Sequence, residues 1–303
     1  MRMTDETPPT AGVMDRLEPG IRRILCPNPS PMTYWGTNTF VLGEGRVGVV
    51  DPGPDMPTHL DAILAGLARG EEVGAILVTH AHVDHSPGAR TLAARTGAPV
   101  YAYGDARAGR SQVMRDLVAA GMTSGGEGVD QDFVPDEVMA DGDRTEIGGL
   151  TVEAIWTPGH FANHLSFAVG DAVLVGDHVM AWASSLVSPP DGDLTAFMAS
   201  CERLHARNDR IFYPAHGPAI EDPAARLDWL IGHRKGREAE ILAHLANGPA
   251  TVATLTRTIY TETPATLLPA AERNVFAHLI DLKTRGLVTA EPALAPDARF
   301  AIT

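Results

Sequence analysis

Short apolar runs that each stop at or just before a histidine or an aspartate recur along this chain of 303 residues. Val47–Val50 stops at Asp51, Ala75–Val78 leads to His80, Leu150–Ile155 precedes His160, Ala172–Gly176 stops at Asp177, and Ile211–Ala215 delivers His216. Runs this short, bounded by glycine and proline, read as strands. Between them the apolar period lengthens to that of a helix. Met56–Ala68 carries Leu60, Ile63, Leu64 and Leu67; Asp193–Ala206 carries Leu194, Phe197, Met198, Cys201 and Leu204; and Asp222–Ala246 keeps the period longest. Gly88–Thr96 and Ala108–Ala120 are two further helices by the same reading. The pattern predicts an α/β fold in which two sets of strands gather polar side chains at one edge.

The last sixty or so residues change character. Val252–Tyr260 and Pro269–Arg285 are helical in period, and the segments 286–290 and 300–302 suit a small hairpin, the outline of a winged helix. The chain therefore divides into a flexible N-terminus over 1–20, a catalytic domain over 21–222, a linker helix over 223–246 and a winged-helix-like domain over 247–303. Residues 105–141 are the long connection; their glycine-rich stretch 121–128 predicts a wall or lid over the site that helps select substrate.

Composition adds little: 44% hydrophobic and 20% charged residues are those of an ordinary globular protein. Residues 1–20 hold no continuous apolar segment, so neither a signal peptide nor a membrane anchor is expected, and a cytoplasmic location is. Cys26 and Cys201 stand apart from each other and from the histidines, and read as ordinary thiols.

The chemistry concentrates in Thr79-His80-Ala81-His82-Val83-Asp84-His85. Imidazole nitrogens with a carboxylate suit zinc, iron or manganese better than calcium or magnesium, which prefer oxygen shells. In an extended segment His80 and His82 point the same way and can grip one ion, while Asp84 and His85 turn toward a second. Two divalent ions, zinc first and iron or manganese next, are the expected cofactors.

These motifs, in this order and at these separations, resemble the metallo-β-lactamase superfamily: Asp51 in Val-Val-Asp-Pro-Gly, the signature from His80 to His85, Thr157-Pro158-Gly159-His160, Gly176-Asp177 and Pro214-Ala215-His216-Gly217-Pro218. The resemblance implies an αβ/βα sandwich with a dinuclear site at one edge. It assigns His80, His82 and His160 to the first metal, Asp84, His85 and His216 to the second, and Asp177 to a bridge between them. Asp51 is expected to orient ligands without binding metal. The branch around beta-lactamase-like protein 2 also has a C-terminal winged helix, and His233-Arg234 with Arg237-Glu238 matches its linker helix.

The metals imply a bridging hydroxide that attacks an electrophilic centre. Asp84 is expected to orient it and pass a proton, and His164 to touch substrate, protonate a leaving group or brace a ligand. Tyr34 and Trp35 are expected to overhang the cleft or to pack on the core, and His233 with Arg234 to bind an anionic part of the substrate. The expected substrate is a small-molecule thioester, ester or lactone. The alternative is an endoribonuclease or phosphodiesterase, since characterised members of the branch include an endoribonuclease. Charge disfavours RNA: residues 231–303 hold eight Lys or Arg against seven Asp or Glu, leaving about −15 of the total −14 on the rest. The winged helix is thus expected to act in packing or in a homodimer, with part of it covering the cleft.

Overall fold

The computed structural model describes residues 7–123 and 128–303. Seven strands form the first sheet in chain order: β1 (Met14–Glu18), β2 (Ile21–Leu25), β3 (Asn38–Leu42), β4 (Arg46–Val50), β5 (Glu72–Leu77), β6 (Val100–Ala102) and β7 (Glu137–Val138). Its first four strands pair antiparallel and the remainder parallel. The second sheet contains β8 (Arg144–Ile147), β9 (Leu150–Trp156), β10 (Leu165–Val169), β11 (Ala172–Gly176) and β12 (Ile211–Pro214) in the spatial order β12-β11-β10-β9-β8.

Both faces of the central strands are apolar because both are covered. Along β3 to β5, Phe40, Leu42, Val50, Ala75 and Leu77 face the second sheet, where they meet Val152, Ala154, Phe167 and Leu174. The alternate residues Val41, Val47, Val49 and Ile76 face outward, onto α1 (Pro57–Ala65) and α2 (Pro87–Thr96) through Leu60, Ile63 and Leu92. A further helix, α3 (Gln112–Ala119), lies in the 105–141 connection and contributes Met114 and Leu117 to the C-terminal core. The outer face of the second sheet is covered by α4 (Leu194–Arg207) and α5 (Pro223–Leu245), with Phe197, Cys201, Leu204, Leu227 and Leu230 buried between them. Helix, sheet, sheet, helix is the expected sandwich.

Behind α5, the strand β13 (Ala250–Thr251), the helices α6 (Val252–Ile259) and α7 (Leu268–Thr284), and the strands β14 (Val288–Glu291) and β15 (Arg299–Ile302) make the winged helix. Phe276, Leu279, Ile280 and Phe300 are buried in its core with Ile241 and Leu245 of α5, so the linker helix belongs to both domains. Among the described residues, no helix is long and apolar enough to cross a membrane.

Two expectations change. Residues 14–18 are not loose; they pair with β2 from Met14↔Ile24 onward, and Met14 packs against the outer core. The described part of 105–141 does not line the cavity beside the histidines. Gly128 instead accepts from the Val83 amide at 3.1 Å, and the Asp130 amide donates to Ala81 at 2.9 Å, so this segment braces the ligand loop from behind. Residues 124–127 of the glycine-rich stretch lie outside the described residues.

Gly159, beside His160, shows how closely α4 seats on the site. A Cβ there would stand 2.3 Å from the Phe197 Cα. Its φ of +147° also disfavours a side chain. Gly159→Ala is expected to destabilise the fold by about 3 kcal/mol in urea denaturation. A loss below about 0.5 kcal/mol would mean that α4 retreats without cost.

Candidate metal centre

The candidate ligands, and Asp51 that orients them, follow the C-terminal ends of five strands. Asp51 follows β4, the 79–85 loop follows β5, His160 lies past β9, Asp177 follows β11 and His216 lies past β12. Asn38 joins the two sheets at this edge, its Nδ2 donating to the carbonyls of Pro214 and Gly217 at 3.0 and 2.9 Å.

Two donor groups result. His80 Nε2 lies 2.8 Å from His82 Nδ1, which lies 3.2 Å from His160 Nε2. In the second group, His216 Nε2 stands 3.3 Å from Asp84 Oδ2, and His85 Nε2 stands 3.6 Å from the same oxygen. Asp177 reaches both: Oδ1 is 3.6 and 3.4 Å from His85 and His216, and Oδ2 is 3.7 Å from His160 Nε2. All seven residues expected to ligate therefore meet in one place.

Surrounding groups fix which imidazole nitrogen faces inward. A carbonyl can only accept, so His160 Nδ1 donates to Leu186 at 2.7 Å and His216 Nδ1 to Gly36 at 3.1 Å, leaving each Nε2 for the site. His85 Nδ1 donates to Asp51 Oδ2 at 3.0 Å. Asp51 also accepts from the Thr79 amide and hydroxyl, each at 2.7 Å, and that hydroxyl in turn accepts from His80 Nδ1 at 2.9 Å. Asp51 is buried and touches ligands only through their far sides.

The donors fit divalent cations. His85 Nε2, His216 Nε2 and Asp177 Oδ1 are buried and make no hydrogen bond of good geometry, though they face one another. Orphaned atoms of this kind cost free energy unless something positive lies between them. The electrostatics agree. Burial opposes charge on His216, yet Asp177 and Asp84 raise it to about 10. Burial likewise opposes a proton on His85, but Asp84, Asp177 and Asp51 together hold it well above the ordinary range. Burial keeps His80 well below that range and lowers His82 to about 3, so both remain neutral ligands.

The other expected residues lie around this centre. Asp84 lines the cavity beside it. His164 does not: it is fully buried, accepts from the Asp177 amide at 3.1 Å through Nε2 and contacts Thr157 Oγ1 through Nδ1 at 2.9 Å. It positions the loop that carries Asp177 and is screened from substrate. Tyr34 stacks on Trp182 at 4.9 Å, and Trp35 meets Tyr34 at 5.0 Å with its ring tilted by 31°. Trp182 lines the cavity, with Tyr34 and Trp35 packed behind it. His233 stacks on Trp229 one turn earlier in α5 and is outside the cavity wall. Its neighbour Arg234 is buried, donating to the Ser185 carbonyl and to Asn274 Oδ1, so it braces protein where an anion was expected.

Sequence reasoning missed Thr79 as a relay and the cavity wall from 180–186, and it expected the winged helix to cover the cleft without naming the residues of 260–274 that line it. The threonine directly precedes the histidine cluster, a signal that was present; the wall follows from contacts distant in sequence.

A family model described as the metallo-beta-lactamase superfamily matches residues 32–216, and one described as the beta-lactamase associated winged helix domain matches residues 251–295. A beta-lactamase-like protein 2 homolog of Drosophila melanogaster is 30% identical over 285 residues, covering 89% of this chain and 90% of the relative. An atrochrysone carboxyl ACP thioesterase of Aspergillus fumigatus is 27% identical over 271 residues, covering 83% of this chain and 77% of the relative. A solved beta-lactamase domain protein from Burkholderia ambifaria shares the fold with a TM-score of 0.82 at 22% identity, covering 99% of this chain and 96% of that one. With its histidine and aspartate centre and its C-terminal winged helix, this chain belongs to the metallo-β-lactamase superfamily.

Proposed function

We propose that this chain is a dinuclear metal-dependent hydrolase of a small-molecule acyl bond, with a thioester ranked ahead of an ester or lactone. The observation that carries the reading is the cavity of about 510 Å³ that opens onto His82, Asp84, His160 and Asp177. Its wall is largely apolar, with Met32, Met180, Trp182 and Leu186 on the catalytic domain. Among the described residues no Lys or Arg lines it, although a phosphodiester substrate calls for cations. Arg226 and Arg234 lie close by, but donate to the carbonyls of Ala183 and Ser185 behind the wall. The thioesterase relative supports placing thioesters first.

His80, His82 and His160 would hold one cation and Asp84, His85 and His216 the other, with Asp177 shared. Zinc leads for this nitrogen and oxygen set, and iron and manganese also suit it. Bound there, divalent cations acidify water and polarise an acyl oxygen. The chain's own residues do the rest. The apolar walls exclude bulk water and align the acyl group. Asp84 turns Oδ2 toward His85 and His216, leaving Oδ1 to take a proton from the attacking water. As the water oxygen bonds to the acyl carbon and the carbon–sulfur bond breaks, that proton passes to the departing thiolate. His164 holds the Asp177 backbone and takes no proton from substrate.

Two outcomes are expected. Zinc-loaded protein should hydrolyse members of a thioester and lactone panel and leave single-stranded RNA uncut, and His82→Ala should lose at least about a hundredfold of that activity. RNA cleavage abolished by His82→Ala, with no acyl hydrolysis, would replace this reading by the nuclease one. Asp51→Asn removes the carboxylate that aligns His85 and Thr79 without removing a ligand. Competition with a zinc chelator should show metal affinity weakened by about 10- to 100-fold, and affinity unchanged from wild type would show that backbone geometry alone places the loop.

A further inference from the structure

We infer that the first turns of α7, in the winged helix, form the wall that measures the acyl group of the substrate, selecting hydrophobic acyl chains by length. This rests on the acyl-hydrolase reading above and adds to it the substrate class and the element that recognises it. Leu267, Ala270, Ala271 and Asn274 all line the cavity that holds His82, Asp84, His160 and Asp177. The spacing of Ala270, Ala271 and Asn274 is that of one helical face, so a single side of α7 looks toward the metal centre, and Leu267, the residue before α7, extends that side outward.

The chemistry of that face is apolar and small. Two adjacent alanines leave space where larger residues would fill it, and Leu267, 38% exposed, stands at its outer end. Met180 and Trp182 line the same cavity, and methionine adapts to chains of varied shape. The face is held at a fixed distance from the catalytic domain. Asn274 Oδ1 accepts from the Val187 amide at 3.1 Å and from Arg234 Nη1 at 3.0 Å, and Asp281 Oδ1 accepts from Thr195 Oγ1 at 2.6 Å further along the helix. A wall tied at two points to the domain that carries the ligands can act as a ruler. With no cation among its described lining residues, the cavity suits a neutral hydrocarbon chain, whose reactive end then sits at the metal ligands.

The test is calorimetric binding of straight-chain carboxylates, butyrate to myristate, to the zinc-loaded full chain, with thioester hydrolysis over the same chain lengths beside it. The carboxylate head is constant, so the series reports the chain alone. Affinity should rise by about fourfold per methylene until the chain meets α7, and then level off. Ala270→Leu should bring the plateau, and the optimum of kcat/KM, to chains shorter by about two carbons. Ala239→Leu, on the exposed side of α5, should leave both at their wild-type length. Leu267→Ala should weaken the longest chains and leave short ones unchanged. A plateau at the same length in Ala270→Leu, or no dependence on length in the wild type, overturns the inference. Length-dependent binding that shifts in Ala270→Leu, without hydrolysis of any thioester, would uphold the wall and refute the hydrolase reading; hydrolysis with an unshifted profile would do the reverse.

Discussion

The structure depends on a single buried carboxylate. Asp51 stands at the end of β4 with φ of +48°, a left-handed conformation that costs a residue with a Cβ about 1–2 kcal/mol. Three donors converge on it: the Thr79 amide, the Thr79 hydroxyl and His85 Nδ1. Charge-assisted hydrogen bonds of this kind offset the strain and lock the loop after β5 against the end of β4. Thr79 carries the constraint on to His80, and His85 carries it to the second donor group, so one side chain sets the orientation of ligands for both. Its charge adds to that of Asp84 and Asp177 in a buried space that holds no Lys or Arg among its described residues. Such a concentration is stable only with positive charge among the donors, which is why His216 and His85 are driven to hold protons in the protein alone.

A second constraint ties the winged helix to this centre. Arg234 is buried on α5 with no carboxylate partner among the described residues; it donates to the Ser185 carbonyl and Asn274 and lies over the Phe197 ring at 5.1 Å. Removing a guanidinium from water is costly, and desolvation accordingly lowers its pKa. What the arrangement achieves is geometric: one side chain joins the 180–188 loop, α4 and α7. Leu186 in the same loop accepts from His160 Nδ1, so the position of the C-terminal domain and the orientation of a ligand are set by neighbouring residues.

The gathering of histidines and aspartates at the ends of strands was legible in the sequence because it follows from local rules, whereas the sandwich was legible only through the family resemblance that the motifs carry. A strand ending in a histidine or aspartate announces itself through period and residue type, and the parallel pairing of β4 with β5 brings Asp51 and the 79–85 loop together without further information. Direction toward the cavity was not legible. His164 and His160 lie four residues apart, yet the amide of Asp177 captures one from behind and the site takes the other. His233 and Arg234 are adjacent on α5, but one stacks on Trp229 at the surface while the other is buried; helix geometry turns neighbours about 100° apart, and only the packing of α7 decides which faces in. The strand at 14–18 escaped notice because an edge strand half open to solvent shows little apolar alternation.

A winged helix commonly prompts a nucleic-acid reading, but a fold carries no function apart from its site. Here the helix that enters the functional region is α7, and the residues presented there are Ala270, Ala271 and Asn274, with Leu267 just before its first turn. A nucleic-acid reader would need arginine or lysine on that face to meet phosphate, together with enough excess positive charge to draw the polymer toward a domain of about −15. Residues 231–303 are near neutral, and Arg237 is spent on the ring of Tyr260 at 4.1 Å and on Glu240. Small apolar residues placed against a cluster of candidate metal ligands have a different physical consequence: they leave room for an uncharged group and release water when it enters. The winged helix thereby supplies one wall of the cavity beside the candidate ligands.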